Sequence, residues 1–321
     1  MATIRIPNNW EPRPYQLEAL KAFDEGKRRQ SLIWHRRAGK DSFSLNLTAR
    51  EMQLNVGTYW HLFPLQTQAR KAIWSGIGAD GRKFLEQAFP KELRAATRSQ
   101  EMQIELKNGS LWQMAGSDQY DSLVGSNVKG VVFSEWALAD PRAWDYIRPI
   151  IRENDGWAVF ITTYRGRNHA YRMHKKVGKL DTWHTATYDI TQTTKANGEP
   201  VLTEADMQAE RDEGMSEEMI QQEYYCDPMA AFEGSYFGLA MRKMVKEGRI
   251  GRVGYETDLP VVAAFDLGMD DEMSAIFLQE HRSEVRIIGS RSWRRTSIPD
   301  VCHDLNNLPY HINHLYLPHD A

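Results

Sequence analysis

Cysteine is nearly absent. Cys226 and Cys302 are the only two in 321 residues, and they show no metal-ligand spacing. A disulfide framework is excluded, and a reducing compartment is expected. No apolar run approaches the roughly 18 residues of a membrane helix, so no membrane span or membrane partner is expected. The opening residues MATIRIPNNWEPRPYQ lack the apolar stretch of a secretory signal. A basic excess is missing as well: 40 Lys and Arg stand against 43 Asp and Glu, a net charge of −3. Nucleic-acid binding would therefore rest on local clusters: Lys27-Arg28-Arg29, Arg36-Arg37, Arg165 with Arg167, and Lys175-Lys176. There is no internal repeat and no low-complexity tract. What is present is 41% hydrophobic residues, enough for real cores. The length is comfortable for two domains.

Short apolar runs alternate with amphipathic stretches through the first 165 residues. SLIW (31–34) reads as a strand, and Leu45, Ala49 and Met52 then share one helical face. TYWHLFP (58–64) reads as a second strand, and QTQARKAIWSGI (66–77) as a helix. Asn108-Gly109 inside IELKNGSLWQM (104–114) predicts a hairpin. KGVVFSEWA (129–137) and GWAVFITTY (156–164) have the apolar density of strands covered on both faces. This rhythm predicts an α/β domain with a mostly parallel sheet. From about 166 to 255 polar residues dominate, and EADMQAERDEGMSEEMIQQEYY (204–225) reads as helical and acidic. This stretch is expected to be a small connecting or lid subdomain. A second sheet is expected from VVAAFDLG (261–268), MSAIFLQE (273–280) and EVRIIGS (284–290). A helix over SIPDVCHDLNNL (297–308) and a strand in HLYLPHDA (314–321) follow it.

The chemistry starts at WHRRAGKDSF (34–43). A strand, a turn with Gly39-Lys40 and a helix form the context of a phosphate loop. Backbone N–H groups there favour an anion and Lys40 supplies charge. The usual loop has Gly at position 34 and Ser or Thr at 41. This one has Trp34 and Asp41, with Ser42 next. Taken alone, Gly-Lys fits a nucleotide loop or a plain helix start. Further on, VVFSEWA ends a strand on Glu135, suited to polarise an attacking water. Ser134 stands where a metal-associated Asp is usual. Asp41 can supply the charge that Ser134 lacks, because both would lie close to one Mg²⁺. Gln16 in PRPYQ can satisfy a donor and an acceptor on adenine. Thr162 and Thr163 close a strand and can sense the γ-phosphate. Arg36 and Arg37 can each act as a finger on transition-state charge. Asp266 and Asp320, at two strand ends, can hold divalent metals for phosphodiester cleavage, with Asp270 and Asp271 nearby.

PRPYQ, WHRRAGKD, FPLQTQARKAIW, DSLVGSNVKGVVFSEWALADP, FITTYRGRNH, EEMIQQEYYCDP, FEGSYF and AAFDLGMDDEMSAI stand in the order found in phage terminase large subunits. The chain resembles that family from about residue 10 to 321. The resemblance implies an α/β P-loop ATPase domain with a mostly parallel sheet, followed by a truncated ribonuclease-H-like α/β domain. The expected divisions are an ATPase core at 1–165, a lid or linker at 166–255, and an incomplete nuclease domain at 256–321. Arg37, Ala38, Gly39, Lys40, Asp41 and Ser42 would hold ATP. Asp41, Ser42 and Ser134 would lie beside Mg²⁺, and Glu135 would be the catalytic acid. Thr162 and Thr163 match the family's coupling element. Asp266 and Asp320 would bind Mg²⁺ or Mn²⁺ in the nuclease. The implied work is ATP-driven movement of double-stranded DNA into a procapsid and cutting of concatemers, in the cytoplasm of a bacterial host. Portal protein, a small terminase subunit and further copies in a ring are the implied partners. A third nuclease acid is expected beyond residue 321, so the nuclease half is expected to be inactive as it stands. A helicase-like translocase and a non-hydrolysing assembly remnant remain the alternatives.

Overall fold

A computed structural model describes residues 10–78, 81–119, 127–230, 237–267, 272–294 and 296–318. The chain divides into two compact units, Met1–Arg242 and Lys243–Ala321. The first unit begins with α1 (Pro14–Asp24), β1 (Arg29–Trp34), α2 (Lys40–Leu54), β2 (Thr58–Phe63), α3 (Gln66–Ala69) and α4 (Phe84–Ala88). It continues through β3 (Arg94–Arg98), β4 (Gln103–Leu106), β5 (Leu111–Gly116), β6 (Val128–Ser134), α5 (Arg142–Glu153) and β7 (Trp157–Thr162). Then come α6 (His169–Val177), β8 (Trp183–Tyr188), α7 (Glu204–Asp212) and α8 (Glu217–Glu223). α9 (Gly238–Lys246) spans the boundary between the units.

One eight-stranded sheet organises the first unit, in the order β3-β4-β5-β2-β6-β7-β1-β8. From β5 to β8 every neighbouring pair is parallel. β3 and β4 add an antiparallel edge. Helices on both faces of the sheet explain why β7 is buried throughout. Trp157, Val159 and Ile161 join the core that also takes α1 and α2, through Tyr15, Phe23, Phe43 and Leu45. Ala158 and Phe160 point the other way, into the core built with α5 and α6 around Trp144, Ile147 and Ala170. Helices therefore cover both faces, and the parallel strands bring their C-terminal ends to one edge.

Three local expectations change. The helix at 66–77 is shorter, because α3 passes into a π-helical turn at Arg70–Trp74. The acidic segment 204–225 is two helices, since Gly214 has φ 96° and stops α7 after one face has formed. The sheet does not end at 165: β8 pairs along the whole of β1. WHTATY reads as polar because it is an edge strand, with only Ala186 buried.

The second unit has β9 (Val261–Asp266), β10 (Glu272–His281), β11 (Glu284–Arg294), α10 (Ile298–Asn306) and β12 (Ile312–Tyr316). Its sheet runs β11-β10-β9-β12, with β9 and β12 parallel. Val261, Ala263, Ala275, Phe277, Trp293 and Val301 form its small core.

Candidate active site

The turn between β1 and α2, residues 35–39, sits at the C-terminal edge of the parallel strands. Open α/β sheets bind ligands at that edge. Trp34 is not in the turn. It is the last residue of β1, fully buried against Tyr15 and Phe43. Tryptophan at the position of the usual first glycine therefore fills core and leaves the turn to five residues. Arg37 and Gly39 take left-handed φ values of 70° and 72°. For Gly39 this costs little, and an added Cβ would come 3.1 Å from Gln16 Nε2. Gly39 then starts α2, whose first free N–H groups face the turn.

PRPYQ braces this turn from behind. The Tyr15 hydroxyl donates to Ala38 O at 2.6 Å, and Arg13 donates to Arg37 O at 3.2 Å. Gln16 Nε2 lies 3.3 Å from both Ala38 O and Gly39 O, and its Oε1 accepts from Arg13 N. The Gln16 amide is thus engaged with backbone and does not stand free for a base. Lys40 Nζ donates to Trp34 O and His35 O, each at 3.0 Å, so its charge lies over the turn itself. Ser42 is half-buried in the first turn of α2.

Asp41 and Ser134 meet. The Ser134 hydroxyl, at the end of β6, donates to Asp41 Oδ1 at 2.6 Å. Burial pushes the Asp41 carboxyl up, but His61, Ser134 and Lys40 outweigh it and hold the carboxyl below the usual carboxylate range. Glu135 follows in a left-handed conformation, φ 50°. Its Oε2 is buried without a hydrogen-bond partner. Burial pushes the Glu135 carboxyl up; the charges of Lys40 and Arg165 oppose this, and those of Asp41 and Glu223 reinforce it. Two neighbouring carboxyls driven in opposite directions are the arrangement that separates a charge-holding ligand from a proton-handling base. The donors suit Mg²⁺, which takes oxygen ligands: one carboxylate and one hydroxyl beside Lys40. Among the described residues no group of three or more His, Cys, Asp or Glu forms a metal cluster.

On the next strand, Thr162 Oγ1 donates to Thr163 O at 2.8 Å and accepts from Ala137 N at 3.2 Å. Thr162 therefore ties β7 to the turn after Glu135. Thr163 Oγ1 is buried without a partner. A cleft of about 780 Å³ opens at this same edge, lined by Pro64, Leu65, Asp118, Leu138 and Asp140 among others.

Sequence reasoning missed three groups. Glu223, at the end of α8, is 3% exposed and pairs with Arg165 at 2.5 Å and Arg36 at 3.8 Å. Its carbonyl also accepts from Arg36 N at 2.7 Å. Arg36 is thus tied to α8, most firmly through its backbone, and both arginine side chains are exposed. His35 is buried, with Nε2 2.7 Å from Thr193 Oγ1 and Nδ1 near Arg36 O. Burial and the nearby Lys40 push its imidazole down to about 4, against which the Arg36 carbonyl works, so it is neutral at pH 7. His61 lies on β2 beside Asp41. The lone histidine in the apolar strand TYWHLF was the one visible signal.

No family model matches the chain. A stretch of 147 residues, 43% of the chain, is 30% identical to the terminase large subunit of Escherichia phage T5 and spans 31% of that protein. The fold matches the large terminase ATPase domain of Thermus phage P74-26 with a TM-score of 0.52, over 68% of this chain and 95% of that one, at 18% identity. It matches the large terminase of a second, thermophilic bacteriophage, solved with ADP, with a TM-score of 0.52 at 10% identity, over 96% of this chain and 77% of that one. The chain is similar to phage terminase large subunits in part of its sequence and in its fold. The sequence match thus spans about a third of the curated terminase. The eight-stranded sheet brings residues 35–42, Ser134, Glu135, Thr162 and Thr163 to one edge, with Gln16 on α1 behind the turn. Of the expected nuclease acids, Asp266 belongs to the second unit, exposed at the end of β9 opposite Ser274 of β10. Asp320, Asp270 and Asp271 lie outside the described residues.

Proposed function

We propose that this chain is the ATP-hydrolysing large subunit of a DNA-packaging terminase. The observation that supports this most directly is the 2.6 Å contact between Asp41 and Ser134. Two departures from the usual nucleotide-site pattern meet at one point, where a relocated carboxylate compensates for a missing one. Residues 35–39, Lys40, Ser42 and the start of α2 cradle the phosphates. Asp41 and Ser134 would hold Mg²⁺, which would supply positive charge against the phosphate oxygens. Glu135, its carboxyl pushed up by burial, orients and deprotonates the attacking water. Arg37, free of the anchor that holds Arg36, reaches the γ-phosphate. Thr162 and Thr163 relay the phosphate state from the Glu135 turn into β7 and the segment after it. Gln16 shapes the turn, and reading adenine would require it to leave the backbone it holds. Residues 166–242 act with the ATPase core, into which β8 is woven, and the following unit is the opening of a nuclease. There Asp266 and Asp320 would bind Mg²⁺ or Mn²⁺. Double-stranded DNA, a portal protein, a small terminase subunit and a ring of copies are the partners, in the host cytoplasm.

Phosphate release from ATP with Mg²⁺ and double-stranded DNA tests this reading. The unaltered chain is expected to turn over, and Glu135→Gln to lose at least roughly a hundredfold while still binding nucleotide. No phosphate release from the unaltered chain would leave a non-hydrolysing assembly role instead.

A further inference from the structure

His61 occupies the fourth position of β2, one strand away from β7 across β6. Its ring is fully buried, stacked on Phe63 with centroids 5.4 Å apart and edge-on to Trp112 at 6.2 Å. Neither ring nitrogen has a hydrogen-bond partner. Buried polar atoms in folded chains are rarely left so, and each that is calls for an explanation. Nε2 lies 3.6 Å from Asp41 Oδ1, the same oxygen that accepts the Ser134 hydroxyl. A small closure of that gap completes an N–H···O bond. The carboxylate is then fixed from two strands at once, by β2 through His61 and by β6 through Ser134.

We propose that His61 is a positioning residue that holds the Asp41 carboxylate at the mouth of α2, facing the magnesium ion of a bound nucleotide. This rests on the ATP-site reading above. A hydroxyl alone cannot aim a carboxylate that has been moved from a strand end to a helix start, because the Asp41 side chain keeps its own torsional freedom. A second donor from β2 removes it. Imidazole suits this task better than lysine: with its proton on Nε2 it donates one hydrogen bond and leaves the negative charge available to the cation. Partners of metal ligands that act in this way are worth roughly 10–100-fold in metal affinity.

The test is binding of a fluorescent N-methylanthraniloyl-ADP to the full chain, titrated with Mg²⁺ and repeated in excess EDTA. His61→Phe is expected to raise the Mg²⁺ midpoint roughly tenfold or more, with binding in EDTA unchanged. His61→Gln, whose amide reaches the same place, should recover most of the affinity, while the shorter His61→Asn should not. That polar pair carries the test if thermal melting shows that His61→Phe does not fold. Asp41→Asn should cost much less on top of His61→Phe than it does alone, because the two act as one unit. A Mg²⁺ midpoint for His61→Phe within twofold of the unaltered chain overturns the inference. So does an equal loss in His61→Gln and His61→Asn, or full multiplication of the His61 and Asp41 effects. If the unaltered chain shows no Mg²⁺-dependent nucleotide binding, the ATP-site reading itself falls. An unchanged His61→Phe on a metal-dependent background removes only the role of His61.

Discussion

Glu135 combines two unfavourable features that a purely structural residue would not retain together. Its backbone is left-handed, which costs a non-glycine residue about 1 kcal/mol, and its Oε2 is buried unpaired. Burial raises the carboxyl above the ordinary glutamate range. The folded chain then holds this proton more tightly than the unfolded chain does. The contribution of Glu135 to stability is therefore fully present below the unfolded pKa and lost as pH rises through the folded one. Glu135→Gln removes the buried charge. Its melting temperature should exceed that of the unaltered chain by a few degrees at pH 8, and the gain should shrink towards pH 4. Calorimetry at the two pH values measures this, and an equal gain at both would show that burial of charge is not the cause. Hydrolysis needs the carboxylate, so the rate should fall with acidity at a higher pH than an unperturbed glutamate would give. The acid itself could be read from VVFSEWA, because a lone acid closing an apolar strand is visible in one dimension. Its strain and its missing partner could not, since both depend on what β7 and α8 bring alongside.

Among the elements, α8 matters more than its seven residues suggest. It is short, but it ends on a buried acid that joins the phosphate-loop candidate to residue 165 after β7. Glu223→Ala leaves the Arg165 guanidinium, only 22% exposed, without its carboxylate. Removing one partner of a buried pair costs about 3 kcal/mol at the low end of the measured range. The low end applies because Arg36 is 58% exposed and can turn to water. The melting temperature of the first unit should drop by roughly 6–12 °C. Nucleotide affinity should also weaken, because the Arg36 and Arg165 side chains lose the carboxylate that ties the turn to the end of β7. A variant that melts lower but binds nucleotide normally would confine Glu223 to stability. The acidic pattern at 204–225 announced helix, and Gly214 was visible within it. No local signal showed that the last acid of that segment turns inward, because its partners lie 58 and 187 positions earlier in the chain.

The two units differ in how much core each builds. The first unit packs large aromatics such as Trp34, Tyr59, Trp112 and Trp157 on one face of its sheet and Trp60, Phe133 and Phe160 on the other. The second relies on six buried residues. Two thermal transitions are expected, the smaller core melting first, since stability rises with the apolar area buried. A nucleotide that binds the first unit should raise only the upper transition, by mass action on its folded state. A calorimetric scan with and without ADP and Mg²⁺ checks this, and a single transition shifted as one would contradict it.

The sequence by itself determined the central strands, the helical face of α2, the hairpin at Asn108-Gly109 and the order of motifs that points to a terminase. Those features are carried by neighbours in the chain: side-chain period, turn chemistry and strand ends are local. Tertiary structure alone decided that Trp34 belongs to the core, that polar WHTATY is the edge strand beside β1, and that Arg36 is tied to Glu223. It also brought His61 and Ser134, from neighbouring strands, to the same Asp41 oxygen. Each of these depends on residues far apart in the chain, and only parallel strand pairing, which aligns strand ends along one edge, brings them within hydrogen-bonding or near-contact distance.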